Sequence, residues 1–131
     1  MKTILNKLIN SRQVLQSMSN LNIAPHLAYQ ITKFLIKSQD EEEFYNNRLR
    51  ALFDECAQKS EDGTFITTDD GQGIKLQLNL IEKFNKSYEE LINTEIEAPD
   101  IKFALSEITK ELTSISVNQM MTLMDFIDED K

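Results

Sequence analysis

The sequence from Pro25 to Lys59 reads PHLAYQITKFLIKSQDEEEFYNNRLRALFDECAQK, and it decides the fold. Residues spaced three and four apart form a seam that is apolar except for one serine and one glutamate. The seam comprises Ala28, Ile31, Leu35, Ser38, Glu42, Tyr45, Leu49, Leu52 and Cys56. This spacing places side chains on one face of an α-helix, so we predict one long amphipathic helix over 25–59. Phe44 and Phe53 add apolar surface beside the seam, with Arg48 between them.

The middle of this predicted helix is polar on every side, because residues 38–43 read SQDEEE. A packed seam cannot bury the carboxylate of Glu42 cheaply, since removing a charge from water requires a compensating partner. Either the helix bends or breaks at 38–43, or this turn stands in solvent.

Two stretches rich in acidic residues and glycine, 61–63 and 69–73, follow the helix and are typical of turns. β-Branched and aromatic residues fill 64–68, and apolar residues alternate with polar ones over 74–78. Both patterns are typical of strands. We therefore predict a β-hairpin across 64–78, and we find no internal repeat.

A further amphipathic helix is predicted over 79–93. Asn79 and Glu82, three residues apart, match a capping box at its start. Its apolar face consists of Ile81, Phe84, Tyr88, Leu91 and Ile92. Together with 25–59, this helix predicts a long helical hairpin.

Smaller elements are predicted on either side of the hairpin. A helical stripe runs through 3–21, although the first six residues could instead form an edge strand. Alternating apolar residues predict an extended segment over 95–105, whereas 106–113 is ambiguous. A short helix begins at Ser116, whose N-cap role is supported by Gln119.

The predicted fold is therefore α+β and mostly helical, with the long helical hairpin, a small β-hairpin or sheet and a short C-terminal helix. A length of 131 residues predicts a single domain over 1–131. The net charge of −8 disfavours nucleic acid and anionic membranes as partners, because both attract cations. One cysteine, no secretory signal and no apolar span of bilayer length predict a protein of the producing cell's cytoplasm, without membrane association.

No motif indicates catalysis. His26 and Cys56 would lie roughly 45 Å apart on one helix at 1.5 Å rise per residue, too far for a base and its nucleophile. The glycines form no phosphate-binding loop, and the acidic residues do not follow calcium-loop spacing. Histidine and cysteine are too few for a zinc site. We expect no enzyme, no cofactor, no metal and no small-molecule substrate.

Two sets of residues are candidates for protein binding. The first is an apolar set near the C-terminal end, which either docks on a partner or closes the protein's own core. It comprises Met120, Met121, Leu123, Met124, Phe126 and Ile127. The second is an acidic set, which either meets a basic surface or is only a solvated face. It comprises Asp40, Glu41, Glu42, Glu43, Asp125, Asp128, Glu129 and Asp130.

Several sequence segments occur in a characteristic order. They are AYQITK at 28–33, the region 48–52, the Asp/Gly-rich hairpin, EKFNK at 82–86, YEEL at 88–91, EIE at 95–97 and then an alternating strand. This order resembles a family of small, mostly uncharacterised proteins of tailed bacteriophages. The resemblance implies a phage or prophage origin and provides no catalytic residues.

Beyond that resemblance, we expect a non-enzymatic interaction protein. It would be a virion or assembly component that oligomerises or docks on another phage protein, in the producing cell's cytoplasm or in the virion. The alternative is an acidic inhibitor that occludes a basic site on a host or defence protein.

Overall fold

The computed structural model describes residues 1–129 and confirms a mostly helical α+β fold. The chain divides into two compact units. Unit 1 consists of Met1–Glu42 and the chain from Glu95 onward, and unit 2 consists of Glu43–Thr94. The assignment of the whole chain to a single domain stays a prediction.

Short strands precede, separate or follow the helices along the chain. In chain order the elements are β1 Lys2–Ile4, α1 Leu5–Ser17, α2 Pro25–Lys37, α3 Gln39–Cys56, α4 Ile81–Ile92, β2 Glu95–Glu97, β3 Phe103–Ala104, α5 Leu105–Glu111, α6 Val117–Leu123 and β4 Ile127–Asp128. Single 3-10 turns precede α4 at Leu78–Leu80 and follow α6 at Met124–Phe126.

Two pairs of strands belong to unit 1. β1 pairs antiparallel with β2, with Thr3 opposite Ile96, and β3 pairs parallel with β4, with Phe103 opposite Ile127. The edge-strand alternative for the first residues is therefore confirmed, and the helix predicted over 3–21 begins only at Leu5. The extended segment predicted over 95–105 is interrupted between β2 and β3.

The main core lies in unit 1, where the buried faces of α1, α2, α5 and α6 meet. Phe34 of α2 is fully buried at its centre. Its ring packs edge-on against Phe126, with centroids 4.9 Å apart, and at a tilt against Phe103, with centroids 5.8 Å apart. Aromatic pairs in these geometries stabilise a core beyond the area they bury.

The predicted long helix is broken at Ser38, which separates α2 from α3. The break confirms one of the alternatives set by the polar residues 38–43. Ser38 is itself buried, and its hydroxyl donates to the carbonyl oxygen of Phe34 at 2.7 Å.

Arg12 of α1 explains how the polar residues at this break are accommodated. Its side chain is only 4% exposed. Nη1 donates to the Leu35 carbonyl oxygen at 2.6 Å and to Ser38 Oγ at 2.5 Å, and Nε donates to Glu42 Oε2 at 2.8 Å. Carbonyls in the last turn of a helix lack helical partners, so this guanidinium both caps α2 and neutralises Glu42. We name these residues the Arg12 cluster.

In unit 2, the part of α3 from Glu43 onward and α4 form a helical hairpin, shorter than the predicted one because the helix predicted over 25–59 is broken at Ser38. Tyr45 contacts Tyr88, their hydroxyls 3.2 Å apart, while Phe53 contacts Phe84 with ring centroids 5.1 Å apart. Residues later in α3 thus meet residues earlier in α4, so the two helices are antiparallel. Partial burial, and then the Tyr88 hydroxyl, raise the pKa of Tyr45 to about 12, which keeps this phenol neutral.

The capping box predicted at Asn79 is wrong. Residues 78–80 form a 3-10 turn, so α4 begins at Ile81 and its N-cap is Leu80, which makes no side-chain capping bond. Asn79 lies inside that turn and is not positioned to cap.

Three short extended segments connect α3 to α4. The predicted pairing across 64–78 occurs at Thr67 and Ile74, and a further segment around Gln58, predicted to be helical, joins it. Gln58 N–H donates to Lys75 O at 2.8 Å, Lys75 N–H to Ile66 O at 2.8 Å, and Ile66 N–H to Gln58 O at 3.0 Å. Each segment therefore bonds to the other two. Because Gln58 bonds across to Lys75, the helix predicted to Lys59 ends at Cys56.

The turns at 60–64 and 68–72 have the same hydrogen-bond pattern, a repeat that sequence analysis missed. In each, the first residue's hydroxyl and the last residue's backbone N–H donate to a central aspartate, Asp62 or Asp70. Hydrogen bonds from Ser60 and then Thr64 lower the pKa of Asp62 to about 2. The hydroxyl of Thr68 and then the backbone N–H of Gln72 likewise lower the pKa of Asp70. The signal in the sequence was hydroxyl-acid-Asp-Gly, recurring eight residues later.

Gly71→Ala is expected to lower the free energy of unfolding by about 1 kcal/mol, because φ at Gly71 is +70° and a Cβ is disfavoured there. No atom within 4 Å would meet the new methyl group, so the cost is conformational. Gly73→Ala is the control, since its Cβ would only reach ordinary contact distance of Thr68, 3.6 Å. Urea unfolding of the full chain measures both variants. Equal losses of unfolding free energy in the two variants would contradict the left-handed backbone conformation of Gly71.

Candidate interaction surfaces

The helix α6 is fixed at its start by the predicted capping box. Ser116 Oγ accepts from the Gln119 backbone N–H at 3.1 Å, and Gln119 Oε1 accepts from the Ser116 N–H at 2.9 Å. This reciprocal pair satisfies two donors that a helix start would otherwise leave open. The N-cap prediction for Ser116 is confirmed.

The predicted apolar docking set divides between the core and the surface. Leu123, Phe126 and Ile127 are buried in the core of unit 1, and Met120 packs against that core while half-buried. These four residues therefore help to close the protein's own core, which was the alternative to docking. Only the exposed members of the set remain candidates for docking.

Met121 and Met124 are 67% and 42% exposed, and Val117 is also exposed. They stand four and three residues apart, so they share one face of α6 and its following 3-10 turn. We name these three residues the α6 stripe. Methionine adapts its shape to irregular partner surfaces. Sequence analysis missed Val117, which was detectable because it precedes Met121 by four residues.

The predicted acidic residues do not all remain available to a partner. Glu42 belongs to the Arg12 cluster, and Asp125 pairs with Lys7 at 3.2 Å. The exposed members of the set are Asp40, Glu43, Asp125 and Glu129, and those of intermediate exposure are Glu41, Glu42 and Asp128. Asp130 lies outside the described residues.

A groove of about 440 Å³ runs between α3 and α4 on unit 2. We name it the α3–α4 groove. Apolar side chains that line it include Leu52 and Leu91, while Phe44 also lines it and is 46% exposed. On α3 the lining begins with Phe44 and Arg48, four residues apart. Sequence analysis noted Phe44 only as apolar surface beside the seam and did not predict the groove.

Charged residues of both signs line the α3–α4 groove. Arg48 lies on α3 and Glu90 on α4, and both are exposed. Among the described residues, neither has an oppositely charged group within 4.0 Å. Glu55, also in the lining, pairs instead with Lys83. The groove therefore presents one unpaired cation and one unpaired anion.

The residues considered for catalysis have ordinary surroundings. His26 is exposed and its Nδ1 lies 2.9 Å from the carboxylate of Glu107, while Cys56, a member of the predicted seam, is fully buried. Within residues 1–129, no group of three or more histidine, cysteine or acidic side chains is placed to hold a metal ion. None of the helices in that range is long and apolar enough to cross a bilayer.

Comparison with known proteins adds no relative of this chain. No protein-family model, curated protein or solved structure matches it. The phage origin therefore stays a prediction from the sequence pattern.

Proposed function

We propose that the protein is a non-enzymatic interaction protein of a tailed bacteriophage, a virion or assembly component that docks on another phage protein. It would act in the cytoplasm of the producing bacterial cell or in the virion. The observation that supports this proposal is the α6 stripe, in which Met121 is 67% exposed although its own helix is anchored in the core.

The α6 stripe is suited to docking because it is apolar on one side of a fixed helix. Leu123 and Phe126 are fully buried, so they hold the exposed side chains in place before a partner arrives. Pre-organised groups lose less conformational freedom on binding, which favours affinity. A short apolar helical face fits a hydrophobic groove on a partner.

Met121→Glu is expected to abolish capture of the phage partner while leaving the fold intact. The new carboxylate would have to be desolvated at the interface, whereas in the free protein it stands in water. The tagged protein is recovered from phage-producing cells, and co-purified virion or assembly proteins are identified and quantified by mass spectrometry. Met124→Glu is expected to act in the same direction.

Ile36→Glu is the matched control, because Ile36 on α2 is 66% exposed, as Met121 is, but lies off the α6 stripe. It should retain the partner. Circular dichroism distinguishes a docking residue from a core residue. If Met121→Glu unfolds the protein, Met121 belongs to the core. A folded Met121→Glu that retains the partner would contradict docking through α6.

The alternative function is an acidic inhibitor of a host or defence protein, favoured by the net charge of −8 and by exposed acids such as Asp40 and Glu129. It predicts capture of one host protein whose binding weakens steeply with added salt. Exposed charges are screened beyond about 8 Å at physiological ionic strength. Salt-insensitive capture would exclude this function.

A further inference from the structure

We propose that two copies of this chain associate through the α3–α4 groove, so that two helical hairpins form a four-helix bundle. The inference goes beyond docking on a phage partner, because it uses unit 2, whereas the α6 stripe belongs to unit 1. The occupant of the groove is the same groove of a second copy.

The first reason is that unit 2 leaves most of its apolar side chains partly in water. The buried core cluster consists only of unit 1 residues. In unit 2 the buried apolar residues are Cys56, Ala57, Phe84 and Leu91. Those of intermediate burial on its helices include Leu49, Leu52, Phe53 and Ile92. Two helices alone enclose little volume, whereas four helices surround a common core.

The second reason is the arrangement of the lining residues. On α3, Phe44, Arg48 and Glu55 recur at a helical spacing, so they lie along one face. Exposed Phe44 lies in the same lining as the small residue Ala51. A two-fold axis places each surface patch against the same patch of the second copy, so a protruding side chain of one copy must fit a recess of the other. The groove contains both a large exposed side chain and a small residue.

The third reason is charge. Arg48 on α3 and Glu90 on α4 line the same groove without an ion-pair partner among residues 1–129. In a two-fold arrangement, Arg48 of one copy meets Glu90 of the other, and the second pair follows by symmetry. A partner of uniform charge would match one residue and repel the other. This charge complementarity selects a second copy as the occupant.

Sedimentation equilibrium of the full chain tests the proposal. The wild type is expected to be a dimer at micromolar concentration. Arg48→Glu is expected to weaken dimerisation by at least about 100-fold, because like charges placed together at an interface are costly. Glu90→Arg should do the same. The double variant Arg48→Glu with Glu90→Arg should restore the dimer, since both ion pairs reform with reversed sign.

Arg50→Glu is the control, because Arg50 is an exposed residue of α3 that does not line the groove. It should remain dimeric, as should Met121→Glu. A wild type that stays monomeric, a dimer that survives Arg48→Glu, or a double variant that stays monomeric although folded would overturn the proposal. So would loss of the dimer in Met121→Glu or growth beyond a dimer. Docking through the α6 stripe is tested separately, by measuring whether folded Arg48→Glu still captures the phage partner.

Discussion

Phe34→Ala is expected to lower the free energy of unfolding by about 4 kcal/mol, the typical loss for truncating a buried phenylalanine. The ring is fully buried between Phe103 and Phe126, so its removal costs both apolar transfer energy and the cavity left behind. A typical domain is stable by only about 5–15 kcal/mol, so this loss consumes much of the total. Urea unfolding followed by circular dichroism measures the effect.

Tyr29→Ala is the matched control for Phe34→Ala. Tyr29 lies on the same helix α2 and is aromatic, but it is largely exposed. Both substitutions change helix propensity in the same direction, so the difference between them isolates burial. Tyr29→Ala should cost no more than about 1 kcal/mol. Similar losses for the two variants would contradict the position of Phe34 in the core.

Arg12→Met is expected to lower the free energy of unfolding by about 3 kcal/mol, because breaking a buried ion pair strands its partner. The methionine fills much of the space but supplies no donor to Glu42, Ser38 or the carbonyl of Leu35. Glu42 is partly exposed, so water compensates some of the loss, and the value falls at the lower end for buried pairs. Urea unfolding measures it.

Lys7→Met provides the comparison for Arg12→Met on the same helix α1. Lys7 pairs with Asp125 at 3.2 Å, but both side chains are exposed, and exposed pairs contribute at most about 1 kcal/mol. Adding Glu42→Gln to Arg12→Met should recover about 1 kcal/mol, since no carboxylate is then left unpaired. If Arg12→Met cost no more than Lys7→Met, the Arg12 cluster would not stabilise the break between α2 and α3.

Local patterns predicted the elements whose causes are local. The capping box joins Ser116 to a residue only three positions away, so the sequence contains the whole device. The helical hairpin follows from periodicity, and a break at 38–43 was one of the alternatives set by the cost of burying Glu42 alone. The capping box predicted at Asn79 was wrong because a capping motif also requires a suitable backbone conformation, and the chain forms a 3-10 turn there.

The remaining features depend on residues distant in sequence. Arg12 reaches Glu42 across 30 positions, and nothing in the neighbourhood of either residue indicates the other. The three-way bonding of Gln58, Ile66 and Lys75 likewise requires three segments to meet. Of the predicted docking set, periodicity alone could not separate buried Leu123 from exposed Met121, because a short apolar helix shows which residues are apolar but not which side faces the core.

The order of the two units along the chain sets the order in which they are completed during synthesis. Unit 2 is continuous, and the hydrogen bonds between its extended segments join residues that are close in sequence. The Gln58 side chain reaches the Leu76 carbonyl across 18 positions, the Gln77 side chain reaches the Ala57 carbonyl across 20, and the backbone bond from Gln77 to Cys56 spans 21.

Unit 1 is interrupted by unit 2, so its two halves are separated in time as well as in sequence. β1 cannot pair with β2 until Glu97 has been synthesised, and the ring of Phe34 cannot meet Phe126 until the chain has extended to α6 and beyond. Closing such long loops carries an entropic cost before any contact compensates for it. The inserted hairpin can therefore form on the ribosome before the residues that complete the core around α1 and α2 have been synthesised.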